Sequence, residues 1–342
     1  MENLLGTDLF GEPIVQDGLG VLAEKFLVPP FTTLNSREGI WQERKRAWLH
    51  MGIKSEVGRG DNLLFGDNEQ IAQKGLNYYR EKEKEKEKSK YGKRMSTTCM
   101  RENYGSKVML ATSVFDPVLC ELAYRWWCPV GGIIVDPFAG GSVRGIVASK
   151  LGYKYWGCDL SQEQISANIK QANDICQNAV NMPYWVCGDS MVTIPAEAPK
   201  ADFIFSCPPY GDLEVYSDDP ADISNMEYHT FKPAYKRIIH RACNQLKDNS
   251  FACFVVGDFR DKKTGYYRNF VSDTIEAFIE QGLGLYNEAI LMTAIGSLPV
   301  RAGRQFTAGR KLGKAHQNVL VFVKGCGKAA TKKIEGSGNE NI

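Results

Sequence analysis

Asp136, Asp159 and Asp189 each follow a short apolar run, in IIVD, YKYWGCD and CGDS, and so stand at the carboxyl ends of three successive predicted strands. A carboxylate in the second position can accept both hydroxyls of a ribose, and one in the third can accept an adenine amine. After Asp136 and Phe138 comes a small-residue turn, Ala139, Gly140 and Gly141, leading into a helix. Glycines let backbone approach a ligand closely, and the helix N-terminus presents free N–H groups, so the pattern suits a nucleotide-like cofactor. Any one of these aspartates alone would read equally well as a helix cap. Three consecutive strands ending this way favour cofactor binding.

A fourth apolar run ends in ADFIFSCPPYG. Pro208 and Pro209 stiffen the loop and remove two N–H donors, leaving carbonyls to accept from an amine, while Tyr210 offers a ring to stack on a planar base. Cys207 supplies sulfur, a weak acceptor, in front of the proline pair, and Ser206 points to the opposite face of its strand. A basic run, GSLPVRAGRQFTAGRKLGKAHQN, carries Arg301, Arg304, Arg310, Lys311 and Lys314 among glycines. It reads as a flexible loop suited to phosphates. A second basic cluster, Arg37, Arg44, Lys45 and Arg46, lies around Trp41 and Trp48 at helical spacing, with Ser36 as its expected cap and the tryptophans expected to pack. The acidic LEVYSDDPADIS is expected to form a lid rather than touch phosphate. His229, His240 and His316 receive no role.

The elements that must position these residues are legible from Val108 onward, where apolar strands alternate with amphipathic helices. Strands are expected at Ile133–Asp136, Tyr155–Cys158, Trp185–Cys187, Asp202–Ser206, Phe251–Val256, Leu285–Leu291 and Val319–Val323. Helices are expected at Val143–Leu151, Gln162–Asn178, Phe231–Leu246 and Asn269–Glu280. This is an α/β fold, a Rossmann-like doubly wound, seven-stranded, mostly parallel sheet. With 342 residues, 43% of them hydrophobic, the chain can bury one large core and carry an added recognition segment. The expected organisation is an N-terminal extension over 1–79 with a role in DNA recognition, a charged linker over 80–107, a catalytic domain over 108–325 and a disordered tail over 326–342. The run REKEKEKEKSK within the linker has no apolar position and cannot pack. The ten cysteines show no CxxC pair and no Cys/His spacing suited to zinc, so no metal is expected and they read as reduced core thiols. The formal charge of +2 neither supports nor excludes a nucleic-acid partner. With no long apolar run and no signal-peptide pattern, a soluble, cytoplasmic protein is expected, without a membrane partner.

DPFAGGS at 136–142, followed on the fourth strand by SCPPY at 206–210, resembles the amino-methyltransferases of DNA, the N6-adenine and N4-cytosine enzymes. TSVFDPVLCELAYRW, just before the glycine turn, is similar to their additional cofactor motif, and KAHQNVLVFVK to their closing strand. The wider chain resembles methylase-like proteins of bacteriophages and prophages, and the resemblance covers about residues 108–325. It implies a class I S-adenosylmethionine-dependent methyltransferase that flips a base out of double-stranded DNA and transfers a methyl group directly to its exocyclic amine. By the resemblance Phe115, Asp116, Asp136, Phe138, Ala139, Gly140, Asp159 and Asp189 hold S-adenosylmethionine, and Cys207, Pro208, Pro209 and Tyr210 hold the base. The family places Asp, Asn or Ser where this chain has Cys207, which leaves the choice of amine open. Three alternatives remain: an RNA amino-methyltransferase, carbon methylation of a pyrimidine with Cys207 as nucleophile, and a catalytically silent DNA-binding module.

Overall fold

The computed structural model describes residues 4–7, 13–15, 21–54, 115–213, 216–217, 219–296 and 298–338. The expected charged linker lies outside them. A hairpin of β1 (Leu4–Thr7) and β2 (Pro13–Val15) and a short α1 (Val21–Phe26) precede β3 (Thr33–Asn35) and α2 (Gly39–His50). The central α/β unit runs α3 (Pro117–Trp127), β4 (Ile133–Asp136), α4 (Val143–Lys150), β5 (Lys154–Asp159), α5 (Gln162–Ile175), β6 (Tyr184–Cys187), α6 (Ser190–Glu197) and β7 (Ala201–Ser206). It continues through α7 (Tyr228–Gln245), β8 (Leu246–Val256), α8 (Phe270–Ile279), β9 (Leu283–Met292), α9 (Leu298–Gly309), β10 (His316–Lys324) and α10 (Gly327–Glu335).

One sheet has the order β3-β9-β10-β8-β7-β4-β5-β6. Strands β4 to β8 pair in parallel, β10 lies antiparallel between β8 and β9, and β3 joins the edge parallel to β9. This is the Rossmann-like, doubly wound, mostly parallel sheet anticipated from the alternating pattern, with eight strands where seven were expected. The eighth, β3, has only three residues, too few for a period-2 signal.

Side chains alternate across the central strands. Phe203, Phe205, Phe251, Cys253, Val255, Val319 and Val321 enter one core with α2, α3, α4 and α5. Ile204, Ala252, Phe254, Val256, Leu320 and Phe322 enter the other with α6, α7 and α8. Burial on both faces explains why these strands read as continuous apolar runs.

Three expectations change. Ser36 does not cap α2: its hydroxyl donates to the Met292 carbonyl (2.6 Å), while Glu38 occupies the cap position without a side-chain bond to the helix N–H groups. The basic run after β9 is not a glycine loop but α9, a helix with no buried residue, in which Arg, Gln and Ala outweigh the cost of Gly303. The expected disordered tail contains α10, because Ala330 and Ile334, four residues apart, share one face and bury it against the first core. Ile334→Ala is expected to cost about 2 kcal/mol, the low end for a buried aliphatic truncation, read as a lowered urea midpoint at unchanged slope.

Candidate functional site

From β4 the chain winds outward to β5 and β6, then returns to place β7 on the other side of β4. The carboxyl ends of β4 and β7 therefore meet at the topological switch point, where open α/β sheets bind ligands. The glycine turn leaves β4 there, and CPPY leaves β7.

Asp136 joins the two. It is fully buried and accepts from the Phe138 N–H (3.1 Å), the Ser206 hydroxyl (2.6 Å), the Tyr155 hydroxyl (2.7 Å) and Arg144 of α4. Arg144 also donates to the carbonyls of Phe138 and Ala139. Burial disfavours its charge, but Asp136 outweighs that penalty and the guanidinium stays protonated. Asp136 thus has no surface for a ligand, contrary to its expected cofactor contact; it sets the shape of the turn. Ser206, turned onto Asp136, cannot lend an oxygen in place of Cys207.

Gly140 sits at φ +50, a left-handed conformation that favours glycine. Its N–H donates to Asp159 Oδ2 (2.8 Å), and its carbonyl accepts from the buried Asn168 Nδ2 (2.7 Å). Asp159 Oδ1 accepts from the Ser161 N–H (2.9 Å). Burial pushes the Asp159 carboxyl up, against these two backbone N–H groups. Each carboxylate oxygen has one N–H and a lone pair left, so a vicinal diol fits this half-buried carboxylate. Asp189 caps α6 through Oδ1, accepting from Met191 N–H (2.8 Å), and Oδ2 has no partner among the described residues. Half-buried Phe138 leans on Tyr235 and Phe254, and Ala139 is buried with its N–H on the Cys158 carbonyl (2.9 Å).

The two residues of the preceding motif have partners within the fold. Asp116 caps α3 at the Val118 N–H (3.0 Å) and also takes Trp41 Nε1 (3.2 Å) and Lys45 Nζ (2.9 Å). It is a clamp between α2 and α3. Phe115 is half-buried, its ring edge-on to Phe205 and beneath the Arg144 guanidinium. Arg44 likewise binds buried Glu121, which also accepts from Trp48 Nε1 (2.9 Å), and Arg37 donates to the Thr293 and Ala315 carbonyls. Three of the four N-terminal basic residues are therefore engaged by partners within the chain, and α2 belongs to the first core.

In the CPPY loop Pro208 is buried and Cys207, Pro209 and Tyr210 are half-buried. The Tyr210 hydroxyl accepts from Gln317 Nε2 of β10 (2.7 Å) and meets the Cys207 side chain; burial, chiefly, keeps the phenol protonated. Its ring lies parallel to Phe259, centroids 6.4 Å apart, and edge-on to Phe270. Sequence reasoning missed Arg144, Tyr155, Asn168, Phe259 and Gln317 as supports. Only the buried amides of α5, Gln164, Asn168 and Gln171 at helical spacing, carried a readable signal.

Arg301, Arg304, Arg310 and Lys311 are exposed on or just beyond α9, whereas Lys314 is half-buried. The described part of the acidic segment forms two 3-10 turns, in which buried Asp222 accepts from the Ser224 N–H and the Ser217 hydroxyl. An open groove of about 300 Å³ lined by Phe26, Phe31, Trp126 and Trp127 shares no residue with the site. Among the described residues no helix is long and apolar enough to cross a membrane.

No protein-family model matches the chain, and no curated protein matches it. Solved structures do. TrmN from Thermus thermophilus has 14% identity and a TM-score of 0.41 over 64% of this chain and 52% of its own, so the chain spans about half of that protein's length. The magnesium protoporphyrin IX methyltransferase of Synechocystis, solved with bound SAM, has 12% identity and a TM-score of 0.39 over 68% and 87%. A TehB-like SAM-dependent methyltransferase from Corynebacterium glutamicum has 18% identity and a TM-score of 0.38 over 66% and 99%. With every one of these TM-scores below 0.5, the fold stands on its strand order and the site on its own geometry.

Proposed function

We propose that the chain is an S-adenosylmethionine-dependent methyltransferase that methylates the exocyclic amine of adenine (N6) or cytosine (N4) in double-stranded DNA. The observation that carries this reading is Asp136, whose single carboxylate links the glycine turn to Ser206 at the root of CPPY. A cofactor held at the turn and a base held at the loop would then keep one relative geometry. The residues fit the cofactor: Asp159 for the ribose hydroxyls, Asp189 Oδ2 for the adenine amine, and Phe138, Ala139 and Gly140 for the turn it lies on. When bound, that cofactor supplies an electrophilic methyl group.

The protein's share is positioning. Carbonyls of the Cys207–Pro209 segment accept from the amine and localise its lone pair, and Tyr210, braced by Gln317, faces the base. A duplex base reaches this loop only when flipped out of the stack. Arg301, Arg304, Arg310 and Lys311 would hold the phosphate backbone from α9.

Incubation with methyl-labelled S-adenosylmethionine and unmethylated DNA or RNA, followed by nucleoside analysis, tests the reading. Label at N6-adenine or N4-cytosine of DNA supports it; label in RNA alone moves the substrate to RNA. Label in 5-methylcytosine assigns Cys207 as a nucleophile, and cofactor binding without transfer indicates a silent module. Arg301→Ala and Arg304→Ala are each expected to weaken DNA binding and to lower the slope of log affinity against log salt by about one, measured by titration at several salt concentrations.

A further inference from the structure

Lys314 shares the basic run with Arg301, Arg304, Arg310 and Lys311, but unlike them it is half-buried. Gly257 follows directly on β8, the strand beside β7. A Cβ built on Gly257 would lie 3.4 Å from Lys314 Cε, 3.7 Å from its Nζ and 3.9 Å from Tyr210 Cε2. The ammonium and the Tyr210 ring therefore border the same space, which Gly257 leaves open. Arg301, Arg304 and Arg310 are exposed on the helix side, while Lys314 is half-buried at the loop.

The groups near this ammonium are Asp258, His316 and the Tyr210 ring. Gln317 is used on the Tyr210 hydroxyl and Asp258 Oδ1 on the Val271 N–H (2.9 Å). Lys314 has no hydrogen-bond or ion-pair partner among the described residues. Burial pushes its pKa down, opposed by Asp258, and burial and then Lys314 push His316 down. A half-buried group with three donors and no protein acceptor is free to take one from a bound molecule.

We propose that Lys314 is a specificity-determining residue that donates to a ring carbonyl of the target base, making the preferred acceptor an amino base that also carries a carbonyl. Cytosine and guanine qualify. Adenine offers only ring nitrogens, each with one lone pair, where a carbonyl oxygen has two. The inference rests on the base-methylation reading above and narrows it, within DNA, to cytosine N4. Gly257 contributes by leaving room: its backbone is not left-handed, so alanine is tolerated there, but the added methyl group would occupy the space between ammonium and ring.

The test compares wild type, Lys314→Met and Gly257→Ala with labelled S-adenosylmethionine on mixed-sequence DNA and RNA. Expected are label on N4-methylcytosine in DNA and a loss of about 10- to 100-fold in kcat/KM for Lys314→Met. Cofactor affinity and the salt slope of binding should be unchanged in that variant, and Gly257→Ala should raise KM. Label confined to N6-methyladenine overturns the inference and leaves the parent reading intact. A salt slope lowered by about one in Lys314→Met, at unchanged base preference, returns Lys314 to a phosphate contact and also overturns it. Cofactor binding with no label on any nucleic acid overturns the parent reading itself.

Discussion

Replacing Asp136 with alanine is expected to destabilise the protein by about 3–5 kcal/mol, the usual cost of leaving one partner of a buried ion pair alone. Arg144 would remain buried as an unopposed cation, and the hydroxyls of Tyr155 and Ser206 would lose their acceptor. Against a typical total stability of about 5–15 kcal/mol this is a large fraction. Equilibrium urea denaturation gives the measurement, with an unchanged slope showing that the native state and not the unfolded ensemble was affected. The double variant Asp136→Ala/Arg144→Met should cost less than the two single changes summed, because each alone strands a polar group that the other removes. A cost below about 1 kcal/mol for Asp136→Ala would show that the carboxylate does not tie the glycine turn to the CPPY strand.

Asp159→Ala should act on ligand affinity rather than stability. Its two protein donors are backbone N–H groups at a half-buried position, which water can reach once the carboxylate is gone. The proposed ribose contact, by contrast, consists of two hydrogen bonds to a charged acceptor, each worth about 1.5–3 kcal/mol. Loss of both lowers S-adenosylmethionine affinity by about 100-fold or more, measurable by isothermal titration calorimetry. Asp189→Ala, which removes one contact, should lose about 10-fold. If Asp159→Ala left affinity intact while Asp116→Ala reduced it, the acidic group that the cofactor uses would be the one before the glycine turn.

Both experiments bear on how the cofactor and base sites are coupled. Asp136 lies at the centre of a network that Arg144 extends to the Phe138 and Ala139 carbonyls and Ser206 extends to β7. A disturbance there shifts the turn and the CPPY loop together, so a conservative Asp136→Asn variant should lower transfer more than cofactor binding.

The sequence by itself determined the strands and the places where chemistry could occur. Ile133–Asp136 coincides with β4, and the runs around Phe203, Cys253 and Val321 all became strands, because a strand buried on both faces must be apolar throughout; the run around Trp185 became the edge strand β6. Its glycine turn and its proline pair were legible for the same reason: few residue types satisfy a left-handed φ or a donor-free loop. Tertiary structure alone decided which way each side chain was used. Asp136, Asp159 and Asp189 have the same pattern in the chain, yet one is sealed in a core, one is half-buried with free lone pairs and one caps a helix. Arg44 and Lys314 both stand in basic clusters of the sequence, yet one is held by Glu121 and the other borders Gly257 and Tyr210. Local pattern fixes period and chain direction, whereas a charged group's role depends on partners that lie 77 residues away for Arg44 and 278 for Arg37, which no local pattern encodes.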